Sequence, residues 1–178
     1  IAQENRVLYF DPGRNSEAPA VSEFIRNLPN YFRFSSEAVS ENLTVIPTPS
    51  ALPHLRRHLP APVLKTTVPL AFKLNGKLIA MQIRRAMRRF EVEAPVLWLY
   101  GLFSPDLVGQ FGEKVACYTN YDDFAGFPQN WRIKDVLRGF DRALSTKVDV
   151  IFATSNTQTE AHRAINPETY FVPNAVDY

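Results

Sequence analysis

Apolar runs and amphipathic segments alternate along the chain, and they predict strands and helices respectively. Three apolar runs, at residues 96–101, 113–120 and 148–155, show no regular alternation of apolar and polar positions. Runs of this kind are typical of central strands whose two faces are both covered. Shorter β-rich runs predict three more strands, at residues 6–10, 42–47 and 169–178.

Apolar residues at helical spacing predict four helices. The clearest covers residues 76–95 and stops at Pro95, and its apolar stripe consists of Ile79, Ile83, Ala86, Met87 and Phe90. Four arginines fall on the other side of this helix: Arg84, Arg85, Arg88 and Arg89. Two more helices are predicted at residues 20–28 and 131–147. A fourth follows the strand at 148–155, where Thr154 or Ser155 can cap it.

Proline interrupts this pattern between residues 47 and 69, where six prolines occur. Proline fixes the φ angle and lacks a backbone donor, so it is disfavoured inside both helices and strands. The segment from Pro47 to Pro69 is therefore predicted to be a long irregular loop that contains at most one short helix.

The alternation of short strands with helices predicts an α/β fold. The expected form is a three-layer Rossmann-like domain with a mostly parallel sheet and helices on both faces. In such sheets the ligand crevice lies beyond the carboxyl ends of the strands. Six residues at or just past predicted strand ends are therefore the first candidates for a site: Asp11, Gly101, Asp122, Asp123, Ser155 and Asn174.

The composition narrows the class of protein. The chain has 178 residues, of which 46% are hydrophobic and 21% are charged, so residues 1–178 are predicted to form one globular domain. Cys117 is the only cysteine, which excludes an intrachain disulfide framework, and its place in an apolar strand predicts burial. No apolar run is long enough to span a bilayer, and the expectation is a reducing, cytoplasmic setting.

The net charge of +2 conceals an uneven distribution. Residues 1–95 contain 13 basic and 8 acidic residues, whereas residues 96–178 contain 7 and 10. Residues 42–90 carry nine Lys or Arg and no acid, which predicts either a solvated polar face or contact with an anionic partner such as lipid headgroups. This block lacks interleaved aromatic residues, so nucleic acid is not expected as a partner.

The sequence YTNYDDFAGFP, residues 118–128, places two adjacent carboxylates after an apolar strand. Asp122 and Asp123 repel each other, and one of them is a candidate general base for a hydroxyl group. The alternative is structural: one aspartate caps the following segment and the other is solvated. Because the two acids are contiguous and no further acid or histidine lies near them in sequence, no metal site is expected.

The histidines and tryptophans offer weaker signals. His54, His58 and His162 lack metal-ligand spacing and a nucleophile partner, which indicates surface or loop positions. Trp98 and Trp131 are predicted to lie in the core, and stacking of a sugar on Trp131 is the alternative for that residue.

Four phrases in the chain resemble the amino-terminal half of a glycosyltransferase of the GT-B fold. They are VLWLYG, KVACYTNYDDFAGFP, DRALSTKVDVIFATSNT and YFVPNAVDY. Within that fold they resemble the large retaining group that contains the family 4 enzymes, and the paired aspartates also resemble those of enzymes for teichuronic-acid-like polymers. The last phrase has Ala175 where the family usually has glycine. The resemblance covers mainly residues 96–178.

The resemblance implies the acceptor-binding half of an enzyme of polysaccharide or glycolipid biosynthesis in the cell envelope. Such an enzyme moves a sugar from a nucleotide-activated donor to a glycan or a lipid-linked acceptor. Asp122 and Asp123 are then the candidate catalytic residues, and the acceptor or cleft rim comprises Tyr100, Gly101, Tyr121, Ser155 and Asn174. The arginines of residues 84–89 are expected to contact an anionic membrane surface, because members of this family often attach to the inner face of the plasma membrane.

The family pattern also sets expectations for what adjoins this sequence. No cofactor is implied, and the nucleotide sugar is expected to bind mainly to a second Rossmann-like domain beyond Tyr178. A first strand with a glycine-rich loop is expected before Ile1, so the fragment alone is expected to be inactive. The alternative is a non-enzymatic flavodoxin-like or binding-protein-like module that uses the acidic rim for recognition. Two glutamates about seven residues apart beyond Tyr178 would favour the enzyme.

Overall fold

The computed structural model describes residues 4–11, 33–48 and 60–174, and the chain falls into two compact units. The first unit comprises residues 1–59 and 77–91, and the second comprises residues 60–76 and 92–178. The predicted helix at residues 20–28, together with His54 and His58, lies outside the described residues.

The first unit contains a three-stranded sheet with the order β1–β3–β2. Its strands are β1 (Val7–Asp11), β2 (Glu37–Ser40) and β3 (Leu43–Pro47). β1 and β3 are parallel, whereas β2 and β3 are antiparallel. The two strands predicted near residues 6–10 and 42–47 are confirmed. β2 escaped prediction because its four residues are all exposed and show no apolar face.

The longest helix is α1 (Ala61–Arg89), which begins well before Gly76. Pro62 lies in the first turn, where a missing N–H leaves no intrahelical hydrogen bond unmade, and only Pro69 lies inside the helix. The predictions of an irregular loop as far as Pro69 and of a helix that begins at Gly76 are therefore wrong over residues 61–75.

Gly76 lies inside α1 because the helix approaches the rest of the second unit closely at this point. A Cβ atom at position 76 would lie 2.7 Å from the Cβ atom of Ser104. One turn earlier, Phe72 stacks on Phe140 with ring centroids 4.5 Å apart. The glycine therefore reflects close packing and not a helix boundary.

The carboxyl-terminal part of α1 contributes to the first unit. Ile83 and Ala86 of the predicted apolar stripe are buried. The helix ends at Arg89, and the chain leaves it through Glu91 and Ala94, whose φ angles are 52° and 46°. Because these left-handed conformations already turn the backbone out of the helix, α1 ends before the predicted stop at Pro95.

The second unit contains a four-stranded parallel sheet with the order β4–β5–β6–β7. Its strands are β4 (Val96–Tyr100), β5 (Val115–Asn120), β6 (Val150–Ala153) and β7 (Thr169–Phe171). Two helices follow β5 and β6: α2 (Lys134–Ser145) and α3 (Asn156–Arg163). Short 3-10 helices cover Pro105–Leu107 and Pro128–Ile133. The predicted strand and helix order of residues 96–171 is therefore confirmed.

One face of this sheet contacts α2 and α3. The Tyr118 hydroxyl of β5 donates to Asp141 of α2, and Asn120 of β5 contacts His162 of α3. Cys117 points to the opposite face, where it is buried as predicted, and burial raises the pKa of its thiol. The thiol therefore stays protonated as a small apolar group.

β4 differs from the central strand predicted at residues 96–101. Among the described strands it pairs with β5 alone, and only Leu97 and Leu99 are buried. Trp98 is 46% exposed, although its indole N–H donates to Thr119. The prediction of a strand covered on both faces is wrong, because the outward residues of β4 are apolar without being buried. Trp131, which is 68% exposed, also lies outside the core predicted for it.

The second unit is thus a mixed α/β structure whose all-parallel sheet is flanked by helices, an arrangement compatible with a Rossmann-like fold. In the described part of the chain, α1 to α3 all fall short of the length and apolar character that a membrane-spanning helix requires.

Candidate functional site

A cleft of about 310 Å³ lies in the second unit, beyond the carboxyl end of β5. This is the edge at which parallel α/β sheets bind ligands. The loop after β5 forms one wall, and α2 and α3 form the others. The polar and charged residues that line it include Asn120, Asp122, Asp123, Arg138, Asp141 and His162. Its size is at the lower end of the range of about 300–1,000 Å³ that is usual for small-molecule sites.

The two adjacent aspartates play different structural roles. The Asp123 carboxylate accepts a hydrogen bond of 3.0 Å from the N–H of Gly126, and thereby closes its own loop. The Asp122 carboxylate is exposed and has no hydrogen bond or ion pair with any described residue. Asp123 therefore fits the structural alternative for this phrase, and Asp122 is the carboxylate left available to a ligand.

A buried polar network forms the floor of the cleft. The Tyr118 hydroxyl donates to Asp141 Oδ1 at 2.7 Å, and Asn120 Nδ2 lies 3.3 Å from the same oxygen. Burial, reinforced by the negative charge of Asp141, raises the pKa of Tyr118 far above its ordinary value of 10.0. The phenol therefore remains a hydrogen-bond donor throughout the physiological pH range.

The hydrogen bonds also determine the tautomer of His162. The Ser145 hydroxyl donates its one hydrogen to the Asp141 carbonyl at 2.7 Å, so Ser145 Oγ accepts from His162 Nδ1–H at 3.0 Å. The unprotonated Nε2 then accepts from Asn120 Nδ2 at 2.7 Å. The His162 ring thus connects Ser145 to Asn120.

The Ser145, His162 and Asp141 side chains resemble a hydrolase triad in composition but not in function. Ser145 is fully buried, and its hydrogen is committed to a backbone carbonyl. Asp141 Oδ2 lies 3.7 Å from Nε2 of His162, the nitrogen that accepts a hydrogen bond and therefore carries no proton for the carboxylate. A nucleophilic serine requires the opposite arrangement, with an accessible hydroxyl that donates to the imidazole.

Aromatic residues of the predicted rim form a stack at the ends of β4 and β5. The rings of Tyr100 and Tyr121 stack with centroids 4.7 Å apart, and Phe124 meets Tyr121 edge-on at 5.2 Å. Gly101 has a φ angle of +98°, and a Cβ atom there would lie 3.0 Å from the Tyr121 ring. Glycine is therefore required at position 101 both by its backbone conformation and by the stacked tyrosine.

The remaining predicted rim residues lie apart from the cleft lining. Ser155 is the N-cap of α3, as predicted, and its Oγ accepts a hydrogen bond of 3.3 Å from the Gln158 N–H. Asn174 is exposed beyond β7. Asp11 ends β1 in the first unit, where its carbonyl accepts from Thr48. Of the six residues predicted at strand ends, the structure brings Asp122 and Asp123 to the cleft.

The four arginines predicted to contact an anionic surface lie in the last turns of α1. Arg84, Arg88 and Arg89 are exposed, and Arg85 is half-buried. Seven Lys or Arg residues and no acid occur between Ala61 and Arg89. Arg88 and Arg89 also lie at the negative end of the helix dipole, where positive charge is favourable.

The charges of the cleft limit its chemistry. Three aspartates and one arginine line it, so the lining is acidic. The described residues contain no group of three or more His, Cys, Asp or Glu side chains arranged to hold a metal ion. The arrangement suits a ligand that donates hydrogen bonds, whereas phosphate groups would meet a surplus of carboxylates.

The sequence did not predict that Asn120, Asp141 and Arg138 line the cleft. The predicted surface or loop position of His162 is wrong, because its side chain is only 3% exposed. His162 is buried because both of its ring nitrogens find partners on the sheet side of α3. An amide at the end of the apolar strand VACYTN was the available signal for Asn120. Asp141 carries no such signal, since its place depends on how α2 is rotated against β5.

Fold and cleft together define an α/β protein with an acidic cleft beyond the carboxyl end of β5 in its parallel sheet. No protein-family model matches the chain, and a search of curated proteins gives no match.

Proposed function

We propose that this chain is the acceptor-binding half of a GT-B glycosyltransferase. The donor would be a nucleotide sugar, and the acceptor a glycan or a lipid-linked saccharide of cell-envelope polysaccharide or glycolipid synthesis. The proposal draws on the order of the four sequence segments that resemble a GT-B glycosyltransferase, and on the Rossmann-like second unit. The observation that carries it is the Asp122 carboxylate at the acidic cleft beyond β5, which pairs with none of the residues that the structure describes.

In the proposed reaction, an acceptor hydroxyl attacks the anomeric carbon of the donor. A bond forms between the hydroxyl oxygen and that carbon, and the bond from the carbon to the nucleoside diphosphate breaks. The proton of the hydroxyl passes to the Asp122 carboxylate, which acts as general base, and the diphosphate leaves with the electron pair. The acidic cleft suits the acceptor side of this reaction, because the diphosphate requires cations or helix amino termini instead.

Because the two aspartates have different structural roles, substituting each of them separately tests the proposal. Asp122→Asn removes the base while it preserves the shape of the side chain. Asp123→Asn is the matched control, because asparagine keeps an oxygen that accepts from the Gly126 N–H. Donor consumption and sugar transfer by the full-length protein would be measured with a panel of nucleotide sugars, with and without anionic vesicles.

We expect Asp122→Asn to lower the turnover rate by about 10²–10⁴-fold, the usual range for loss of a general base. Asp123→Asn should remain close to the wild-type rate, and both variants should unfold like the wild type. Full activity of Asp122→Asn would remove this residue from the mechanism. A wild-type protein that consumes no nucleotide sugar would overturn the enzyme and favour a binding module.

We further propose that the protein is cytoplasmic and works at the inner face of the plasma membrane, with α1 as its contact. The exposed Arg84, Arg88 and Arg89 lie on a helix segment that carries no acidic residue. Anionic headgroups attract such segments with about 1 kcal/mol per basic residue near the surface. A lipid-linked acceptor would then lie on the same surface as the enzyme.

A further inference from the structure

Asn120 carries an unsatisfied hydrogen-bond acceptor on the floor of the cleft. Its side chain is the last of β5 and is only 5% exposed, and its Oδ1 atom has no hydrogen-bond partner among residues 4–11, 33–48 and 60–174. A buried carbonyl oxygen without a partner is costly, and native structures retain few of them. Asn120 lines the cleft, so the donor that completes this oxygen can come from a ligand.

The orientation of the Asn120 amide is fixed by its neighbours. A carboxylate only accepts hydrogen bonds, so Asp141 Oδ1 requires the Nδ2 group to face it, at 3.3 Å. His162 Nε2 also accepts, because the proton of that ring is on Nδ1 and directed at Ser145. With acceptors on both sides of Nδ2, the reversed amide would place two acceptor oxygens against each other.

Asp141 presents a second acceptor to the same space. Its Oδ1 is occupied by Tyr118 and Asn120, whereas Oδ2 has no hydrogen bond with a described residue and the side chain is 32% exposed. The carboxylate of Asp122 adds a third acceptor at the rim. The cleft therefore offers oxygen acceptors at its floor and its rim, with Arg138 as the only cation in its lining.

We propose that Asn120 is the specificity residue of this cleft and that the ligand group it binds is an uncharged, hydroxyl-rich group such as a sugar ring or a polyol. The buried Oδ1 accepts a hydrogen bond from one ligand hydroxyl, and Asp141 Oδ2 accepts from another. Tyr118, His162 and Ser145 are positioning residues that hold the amide in this orientation. This inference concerns the cleft of the proposed function, but it requires binding alone and no sugar transfer.

The proposal is tested by binding to the wild-type chain, observed at the Asn120 side-chain amide by ¹⁵N NMR. The neutral probes are myo-inositol and methyl β-D-glucopyranoside, the cationic probe is the corresponding 2-amino sugar, and the anionic probes are phosphate and pyrophosphate. We expect both neutral probes to shift the Asn120 amide signal and neither anion to do so. If the amino sugar alone binds, or if the anions bind better than the neutral probes, the proposal is overturned.

Substitutions separate recognition from positioning. Asn120→Ser should weaken binding of the neutral probes by at least about tenfold, the factor that corresponds to 1.4 kcal/mol. Asn156→Ala is the control, because Asn156 is an exposed residue at the start of α3 outside the cleft lining. Asp141→Asn places a possible donor beside Asn120 and lets its amide reverse, so the preference for neutral over anionic probes should narrow.

The wild-type spectrum keeps the proposal falsifiable even if Asn120→Ser does not fold. Neutral probes that bind without a shift of the Asn120 amide, or that do not bind at all, overturn it. An experiment that overturns ligand binding at Asn120 is distinct from one that overturns the proposed glycosyltransferase function. A protein that binds the neutral probes at Asn120 but consumes no nucleotide sugar would retain this site and lose the glycosyltransferase assignment.

Discussion

Neighbouring aspartates in this protein have unequal roles because their side chains meet different surroundings. Asp123 turns back to the Gly126 N–H and closes the loop, whereas Asp122 remains exposed at the cleft. The sequence placed both acids at the carboxyl end of a strand, and the structure puts both in the cleft lining. The sequence pattern could not predict which aspartate closes the loop, because a turn of this type depends on backbone angles that either aspartate is able to adopt.

Tyr118 makes a pH-dependent contribution to stability. Its folded pKa is raised by burial and by Asp141, so its contribution is fully present below the unfolded value of 10.0 and is lost as the pH rises above it. The unfolded chain then loses a proton that the folded chain keeps. Each pH unit above 10 therefore costs about 1.4 kcal/mol from this one residue.

The measurement is urea unfolding of the wild type and of Tyr118→Phe between pH 9 and pH 11, with these limits set roughly around the ordinary tyrosine pKa of about 10. All other tyrosines and lysines are common to both proteins, so the difference in slope isolates Tyr118. Tyr118→Phe should be less stable at neutral pH because Asp141 loses a buried donor, and it should lose stability less steeply in alkali. Parallel curves would show that the Tyr118 proton is not retained in the folded state.

At the scale of elements, α1 shows how packing overrides local signals. Prolines and a glycine between residues 60 and 76 predicted a loop followed by a helix start, yet the helix is continuous from Ala61. Burial of Leu64 and Val68 and the stack of Phe72 on Phe140 stabilise a segment with poor helical propensity. These contacts are distant in sequence, and the pattern of α1 alone does not contain them.

The close approach of Gly76 to Ser104 leads to a prediction about this helix. Gly76→Ala gains helix propensity of about 1 kcal/mol, but its Cβ would lie 2.7 Å from the Cβ of Ser104. Since the contact is between buried carbons, we expect a net loss of about 1–2 kcal/mol in the free energy of unfolding. Unfolding in urea, followed by far-ultraviolet circular dichroism, measures this loss.

Ser104→Gly provides the matched partner, because it removes the Cβ atom that the alanine would meet. In that background, Gly76→Ala should no longer destabilise and should add helix propensity instead. A double-mutant cycle gives the coupling between the two sites. If the loss from Gly76→Ala is equal in both backgrounds, the close contact with Ser104 does not limit the residue at position 76.

At the scale of the whole molecule, the sequence predicted the order of strands and helices better than their division into two units and their pairing within sheets. The order of elements from residue 96 to residue 171 is as predicted, because short apolar strands and amphipathic helices leave local signatures. The division into two units and the exposure of β4 were not foreseen. Both depend on which strands pair, and pairing joins residues that are distant along the chain.

The proposed membrane contact makes a prediction about binding to vesicles. Replacing both Arg88 and Arg89 by glutamine should weaken binding to anionic vesicles by about 2 kcal/mol, or roughly 30-fold. The control replaces Arg132 and Arg142 by glutamine, an equal change of charge at exposed residues outside α1. Co-sedimentation with vesicles at low and high salt measures both, and the difference should vanish at high salt. Equal losses in the two double variants would point to net charge alone.

Two tryptophans are present, and their placement gives the protein an intrinsic optical reporter. Trp131 is the more exposed, at 68%, and it lies a few residues after the acidic loop, with the Arg132 guanidinium 5.2 Å from its ring. Its emission should be red-shifted and readily quenched by iodide, whereas Trp98, tied to Thr119, should be shielded more. In a Trp98→Phe background, ligand entry beside the loop becomes visible as a change in quenching, without any attached dye.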